Sequence, residues 1–298
     1  MDVAHPGGGL PTRVSPSQVA SFGSCQLRYY FATVLGWREP ASPASTQGVL
    51  VHATLEHLYL LPPDQRTRDR AGQLLRERAQ VLFADPGYEP FRADQQLATQ
   101  AFAAVGNLFT LEDPAGLDVE QDGLESPVQA VLDGVSFGGR LDRRTGGAVP
   151  RITDYKSGAK PAPAYLADKL TQLYLYAAAE LESGGQVAEV ELLYLGGQGA
   201  RVRRPVFPAV IRDARKSLVT MASTSQAALA DLTFQARRSP LCQYCSFRRA
   251  CPQFAVSAPT PGSGESDQIL TGIGLVRRSR PEPEPLEPLV DSEQDLGW

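Results

Sequence analysis

Nowhere in the 298 residues do 18 apolar residues follow one another, so no stretch is suited to cross a bilayer as a helix. The first residues carry no basic region followed by an apolar run, and so no sign of a secretory leader. These two absences lead to the expectation of a soluble cytoplasmic protein. No G-x-x-x-x-G-K-[ST] occurs, which excludes a P-loop and with it a helicase motor in this chain. Cysteine is scarce, at four residues, and without an export signal a disulfide framework is disfavoured. Excess positive charge is lacking as well: the formal charge is −4, which at first argues against a nucleic-acid binder. The charge is uneven, however. Residues 256–298 hold three arginines against eight acids, a net −5, so the first 255 residues carry +1.

What is present begins with core material. Apolar residues make up 42% of the chain, enough for one large domain or two small ones. The most informative stretch is Gly138 to Lys156, which predicts a hairpin: a strand to about Arg143, a turn at Gly146 and Gly147, and a second strand from about Arg151. Residues two apart on a strand share a face, so Asp154 and Lys156 point the same way. The hairpin can bring Asp142 to the same edge. Two carboxylates held together repel unless a cation lies between them, and oxygen ligands of this kind suit Mg²⁺ or Mn²⁺. A lysine beside them can hold a phosphate oxygen or polarise a water.

Around the hairpin the chain alternates helices and strands. Ser15-Pro16-Ser17-Gln18 is a capping-box start for a helix running to about Leu35, dense in rings (Phe22, Tyr29, Tyr30, Phe31) and carrying Cys25. A second helix holds Gly48 and His52, with Glu56 one turn on. Residues 64–112 predict a helical insertion. Val119–Leu132 predicts a strand ending in the turn signal Asp133-Gly134; Glu125 on it can face either the site or water, and is read as a structural residue or one that supports the site from behind its ligands. Ala164–Ser183 is a helix with Gln172 and Tyr176 on one face, and two strands and a helix from Pro208 follow. Basic groups recur at Arg140, Arg143, Arg144 and Arg151, at Arg201, Arg203 and Arg204, and at Arg237, Arg238, Arg248 and Arg249, all candidates for phosphate contact. Residues 1–13 and the acidic, Pro-rich 256–298 are expected to be disordered.

Three of the cysteines form C-x2-C-x5-C at Cys242, Cys245 and Cys251; Cys25 lies far upstream. Such spacing points to a metal, and four thiolates suit either zinc or an iron–sulfur cluster.

The G-R-x-D of Gly139–Asp142 followed by the D-Y-K-S-G of Asp154–Gly158 resembles the core motif of the PD-(D/E)xK nuclease superfamily, in its RecB-like and AddB-like exonuclease branch. The chain departs from the founding pattern in having Leu141 where a proline precedes the first aspartate. G-x-x-x-H ending at His52, Q-x-x-x-Y at Gln172 and Tyr176, and the four cysteines follow in the branch's order, so the resemblance covers Ser15 to about Phe254. It implies an α/β, restriction-endonuclease-like fold over residues 14–255: a mixed central sheet flanked by helices. It implies a 4Fe–4S cluster on Cys25, Cys242, Cys245 and Cys251, joining the N- and C-terminal parts of the core. Mg²⁺ or Mn²⁺ would be held by His52, Asp142 and Asp154. Lys156 would orient or activate water, while Gln172 and Tyr176 position the strand. The implied function is a single-strand-DNA exonuclease of repair or recombination, acting on DNA that is single-stranded or has ends, with a helicase or repair partner and no membrane. Three alternatives accompany it: a related CRISPR-adaptation nuclease that trims spacers, a non-catalytic DNA-binding subunit of a repair complex, and a regulatory binder whose cysteines hold zinc.

Overall fold

The computed structural model describes residues 9–254 and 258–277. Helix α1 (Pro16–Ser24) starts as its sequence dictates. Ser15 Oγ accepts from the Gln18 N–H, Gln18 Oε1 accepts from the Ser15 N–H, and Pro16 occupies the first position. The helix does not continue to Leu35. It breaks at Cys25, whose backbone is extended, resumes as α2 (Gln26–Tyr29) and ends in a π-helical turn over Tyr30–Val34. The break has partners. Leu27 N–H donates to the Gln235 carbonyl, and Gln26 Oε1 accepts from the Gln235 N–H, so the segment ahead of the later cysteines takes up the freed groups. The aromatic residues are core: Phe31 stacks on Phe247 at 5.2 Å and Tyr30 on Phe234 at 4.7 Å.

After the short strand β1 (Trp37–Arg38) come three helices, α3 (Pro43–Tyr59), α4 (Arg68–Leu82) and α5 (Gln95–Leu111). Strands β2 (Val119–Leu132), β3 (Val135–Thr145) and β4 (Arg151–Lys156) follow. Helix α6 (Leu166–Glu182) then leads to β5 (Glu189–Tyr194), β6 (Ala200–Pro205) and α7 (Pro208–Asp231). The sheet order is β2-β3-β4-β5-β6, antiparallel except for the parallel pair β4–β5, which α6 connects. This mixed, helix-flanked sheet agrees with the expected architecture. The β2–β3 turn holds Asp133 and Gly134 at φ +49° and +81°, the left-handed pair that a two-residue hairpin requires.

Strand alternation divides the core in two. Ile152, Val190 and Leu192 face the apolar cluster under α1, α2, α6 and α7; Tyr155 and Leu193 face the one under α3, α4 and α5. Each large side chain so buried contributes on the order of 1.5–3 kcal/mol.

Two expectations are corrected here. Several arginines read as phosphate-contact candidates are committed to internal ion pairs. Arg143 is fully buried, forked onto Glu112 at 2.5 and 2.9 Å, and sandwiched by the rings of Tyr59 and Tyr155. Arg144 pairs with Glu120 and Glu180, Arg151 with Glu189, and Arg203 with Glu191. Second, part of the segment expected to be disordered is folded. Ser263 caps α8 (Gly264–Gly272), Leu270 and Leu275 enter the larger core, and β7 (Val276–Arg277) pairs with β1. The Gly/Pro/Ser composition hid a helix whose start needs only one serine and whose seat needs only a few apolar side chains. Residues 1–8 and 278–298, also expected to be disordered, lie outside the described residues.

Candidate active site

The site opens where β3 and β4 part. Their ladder ends at Arg143–Thr153, and the next β4 donor, the Tyr155 N–H, goes instead to Asp142 Oδ2 at 2.6 Å. The same residue's carbonyl accepts from His52 Nε2 at 3.1 Å. One peptide unit on each side of Tyr155 thus orients both side chains. With Nε2 as the donor, Nδ1 of His52 faces the carboxylates, 3.5 Å from Asp142 Oδ1 and 3.5 Å from Glu125 Oε1. His52 reaches the sheet from the middle of α3, whose start is set by the Ser42–Ser45 capping box and Pro43.

Glu125 is the residue that sequence reasoning missed. β2 shifts register between Val119 and Leu124, and Glu125 has φ +44°, a left-handed conformation that is costly for a side-chain-bearing residue. The irregularity re-aims its carboxylate into the site, a recurring use of strand bulges. Among the described residues, His52, Glu125 and Asp142 form the single group of three or more such side chains whose ligand atoms lie within 4.8 Å of one another. Burial opposes a charge on His52, but hydrogen bonds to Asp142 and Glu125, with their charges, outweigh it and raise the imidazole to about 10. The imidazole is thus held protonated against the two carboxylates at neutral pH.

Asp154 and Lys156 share a face of β4, as alternation requires. The Lys156 ammonium bonds Asp154 Oδ1 at 2.9 Å and stands 2.6 Å from Oδ2. Asp154 is buried, and its Oδ2 has no donor in hydrogen-bonding geometry. Burial first and the neighbouring Asp142 second push its carboxyl up to about 6, against the pull of Lys156. Asp154 is within electrostatic reach of Asp142 and His52 but outside their tight group.

Helix α6 covers the site. The Tyr176 hydroxyl lies over Gly139, where an added Cβ would come within 2.7 Å of it. Gln172 hydrogen-bonds Tyr176, and burial raises that phenol to about 12. Lys169, which the sequence reading did not single out, is one turn before Gln172 on the same face and feels Lys156, Asp154 and Arg28. Partial desolvation and the Lys156 charge lower its pKa. Its spacing from Gln172 is the signal that would have found it.

Cys25, Cys242, Cys245 and Cys251 line one small cavity, placed there by the break after α1 and two short turns. No three of their Sγ atoms lie mutually within 4.8 Å. Burial raises the thiols of Cys245 and Cys251, and the neighbouring sulfurs raise them further.

The fold has counterparts among solved structures. A candidate exonuclease from Eubacterium rectale, solved at 2.19 Å, superposes with a TM-score of 0.53 and 13% identity, covering 80% of this chain and 89% of its own. A second solved structure, SSO0001, overlaps at 16% identity over 77% of this chain and 93% of its own, with a TM-score of 0.35. The first shares the fold; the second is too distant to carry an argument. Among curated protein sequences, none matches. The family model of the PD-(D/E)XK nucleases, in contrast, matches residues 13–252, which takes in every site residue named above. With two acidic strands, a lysine and a covering helix meeting at one edge of a mixed sheet, and that match over most of its length, the chain belongs to the PD-(D/E)XK nuclease superfamily.

Proposed function

We propose that the chain is a divalent-metal-dependent deoxyribonuclease that removes nucleotides from an end of single-stranded DNA. The observation that carries this reading is the convergence of His52 Nδ1, Glu125 Oε1 and Asp142 Oδ1, with Asp154 and Lys156 alongside. The donor set fits a hard cation. It offers carboxylate oxygens and one imidazole, and Asp154, whose buried Oδ2 accepts no aligned hydrogen bond although Lys156 Nζ stands 2.6 Å away, adds a further carboxylate. His52, Glu125 and Asp142 would hold Mg²⁺ or Mn²⁺, with Asp154 completing the set. A bound divalent ion supplies Lewis acidity and a more acidic water. Lys156, pinned by Asp154, steadies a phosphate oxygen and the attacking water. Tyr176 and Gln172 set the strand against the β3–β4 edge, and Gly139 leaves room for the phenol to do so.

Membership of the RecB-like, repair-associated branch is part of the same reading. So is a 4Fe–4S cluster on Cys25, Cys242, Cys245 and Cys251. All four thiols line one cavity. Four thiolates are the ligand set of such a cluster, and zinc is the competing occupant of the same four. Protein purified without air should be brown and contain iron and sulfide; colourless protein with stoichiometric zinc would exclude the cluster.

Digestion of end-labelled single-stranded DNA, with wild type beside Lys156→Ala, tests the activity. Loss of label from one end by wild type, at least a hundredfold slower in the variant, is the expected result. Equal cutting by both proteins would remove Lys156 from the chemistry, and no cutting by wild type with either metal would remove the reading itself.

A further inference from the structure

We propose that the groove between α1, α6 and α7 is the track along which a single strand of DNA lies as it leads into the β3–β4 edge. The inference rests on the nuclease reading above and deepens it. The groove has a volume of about 570 Å³ and is joined to the site through Gln172, which lines it and also bonds Tyr176. Its other end reaches Cys25 and Arg237, so it spans from the catalytic edge to the cysteine loop.

Its walls suit a polyanion with flat bases. Along α7 the groove presents Lys216, Ser217, Thr220 and Thr224, a stripe of one ammonium and three hydroxyls at helical spacing, and Thr171 on α6 adds a fourth hydroxyl. Hydroxyl, amide and cationic side chains of this kind contact phosphates without regard to sequence. Asp168 is the single acid among the described residues that line it, against Lys216 and Arg237. Between the polar rims lie Val19, Phe22 and Met221, an apolar floor for bases turned away from water. From Lys216 to Thr224 the helix rises about 12 Å, room for about two or three successive phosphates. Outside the groove lining, Lys169 on α6 feels the charges of Lys156 and Arg28 and adds a cation beside the site.

The test uses the full chain, a labelled trinucleotide and a 12-nucleotide oligomer of thymidines, and the double variant Lys216→Glu, Thr220→Glu, whose two positions are exposed on α7. Wild type should favour the 12-mer in kcat/KM. The variant should lose about tenfold of that preference. Its salt dependence of log K should flatten by about 0.7 for each phosphate contact removed. Length preference and salt slope identical to those of wild type, with both proteins cutting, would overturn the groove and leave the nuclease reading standing. If wild type cuts nothing, the nuclease reading fails, and fluorescence anisotropy with the 12-mer decides the groove: weaker binding by the variant supports it, and equal binding overturns it. Thermal melting guards against misfolding; should the double variant melt early, Lys216→Gln alone replaces it, judged by the same slope.

Discussion

Burial holds the Asp154 carboxyl near 6, well above its ordinary 3.8, so at neutral pH the folded chain keeps a carboxylate charged where it would more easily be neutral. The sign follows from linkage. A raised folded pKa favours the fold below about pH 4, and that favour is lost as pH rises through about 6. Asp154→Asn should therefore melt a few degrees higher than wild type at pH 7.5 in chelator, a gain on the order of 1–3 kcal/mol, while cutting no DNA. A melt at or below that of wild type would show the Lys156 pair outweighing the burial. His52 gives a second prediction. Because it holds a proton up to about pH 10, loading the site with Mn²⁺ at pH 7.5 should release close to one proton per ion, and affinity should fall as pH falls. Calorimetry in two buffers of different ionisation enthalpy measures this; no buffer dependence would mean that Nδ1 is not a ligand. His52, on a distant helix, is reached only through the family resemblance, whereas the meeting of Asp142, Asp154 and Lys156 is legible in the sequence because hairpin spacing and strand alternation are local rules. Glu125 is not, because its aim depends on a backbone irregularity that no spacing announces.

Among the elements, the helical insertion and the sheet are joined by a buried charge. Glu112 caps the end of α5, and Arg143 of β3 grips it from beneath, with Glu191 of β5 3.9 Å away. Arg143→Ala would leave the buried Glu112 carboxylate without its paired guanidinium, while Glu191 keeps Arg203, and should cost about 3–5 kcal/mol in denaturant titration. A loss below 1 kcal/mol would show that water or Arg201 substitutes. The strands and helices themselves are largely readable. The turn at Asp133-Gly134, the capping boxes at Ser15 and the glycine-marked hairpin all act within a few residues. The break at Cys25 is not readable, because what stabilises it is Gln235, 210 residues away in sequence. Nor is the role of Arg143, whose partner lies 31 residues upstream: charge patterning along a strand cannot tell a solvated arginine from a buried one.

At the scale of the molecule, the two ends of the described chain close on each other: Leu27 bonds Gln235, and β7 lies on β1 with Arg277 Nε donating to the Leu35 carbonyl. The segment after the last cysteine is thus part of the folded body. Leu270→Ala, at a fully buried position, should destabilise the whole cooperative unit by about 2–5 kcal/mol; an unchanged midpoint would show that α8 folds apart from the core. Composition misled at this scale because a short helix seats itself with two or three apolar contacts, too few to alter a segment's average. The left-handed backbone at Glu125 has a consequence for the protein's history under selection. A glycine there would relieve the local strain, just as an asparagine at 154 would relieve the buried charge. A laboratory lineage bred for heat resistance alone should drift toward both changes and lose its chemistry first. An acid retained at each position therefore marks a lineage still selected for what the site does.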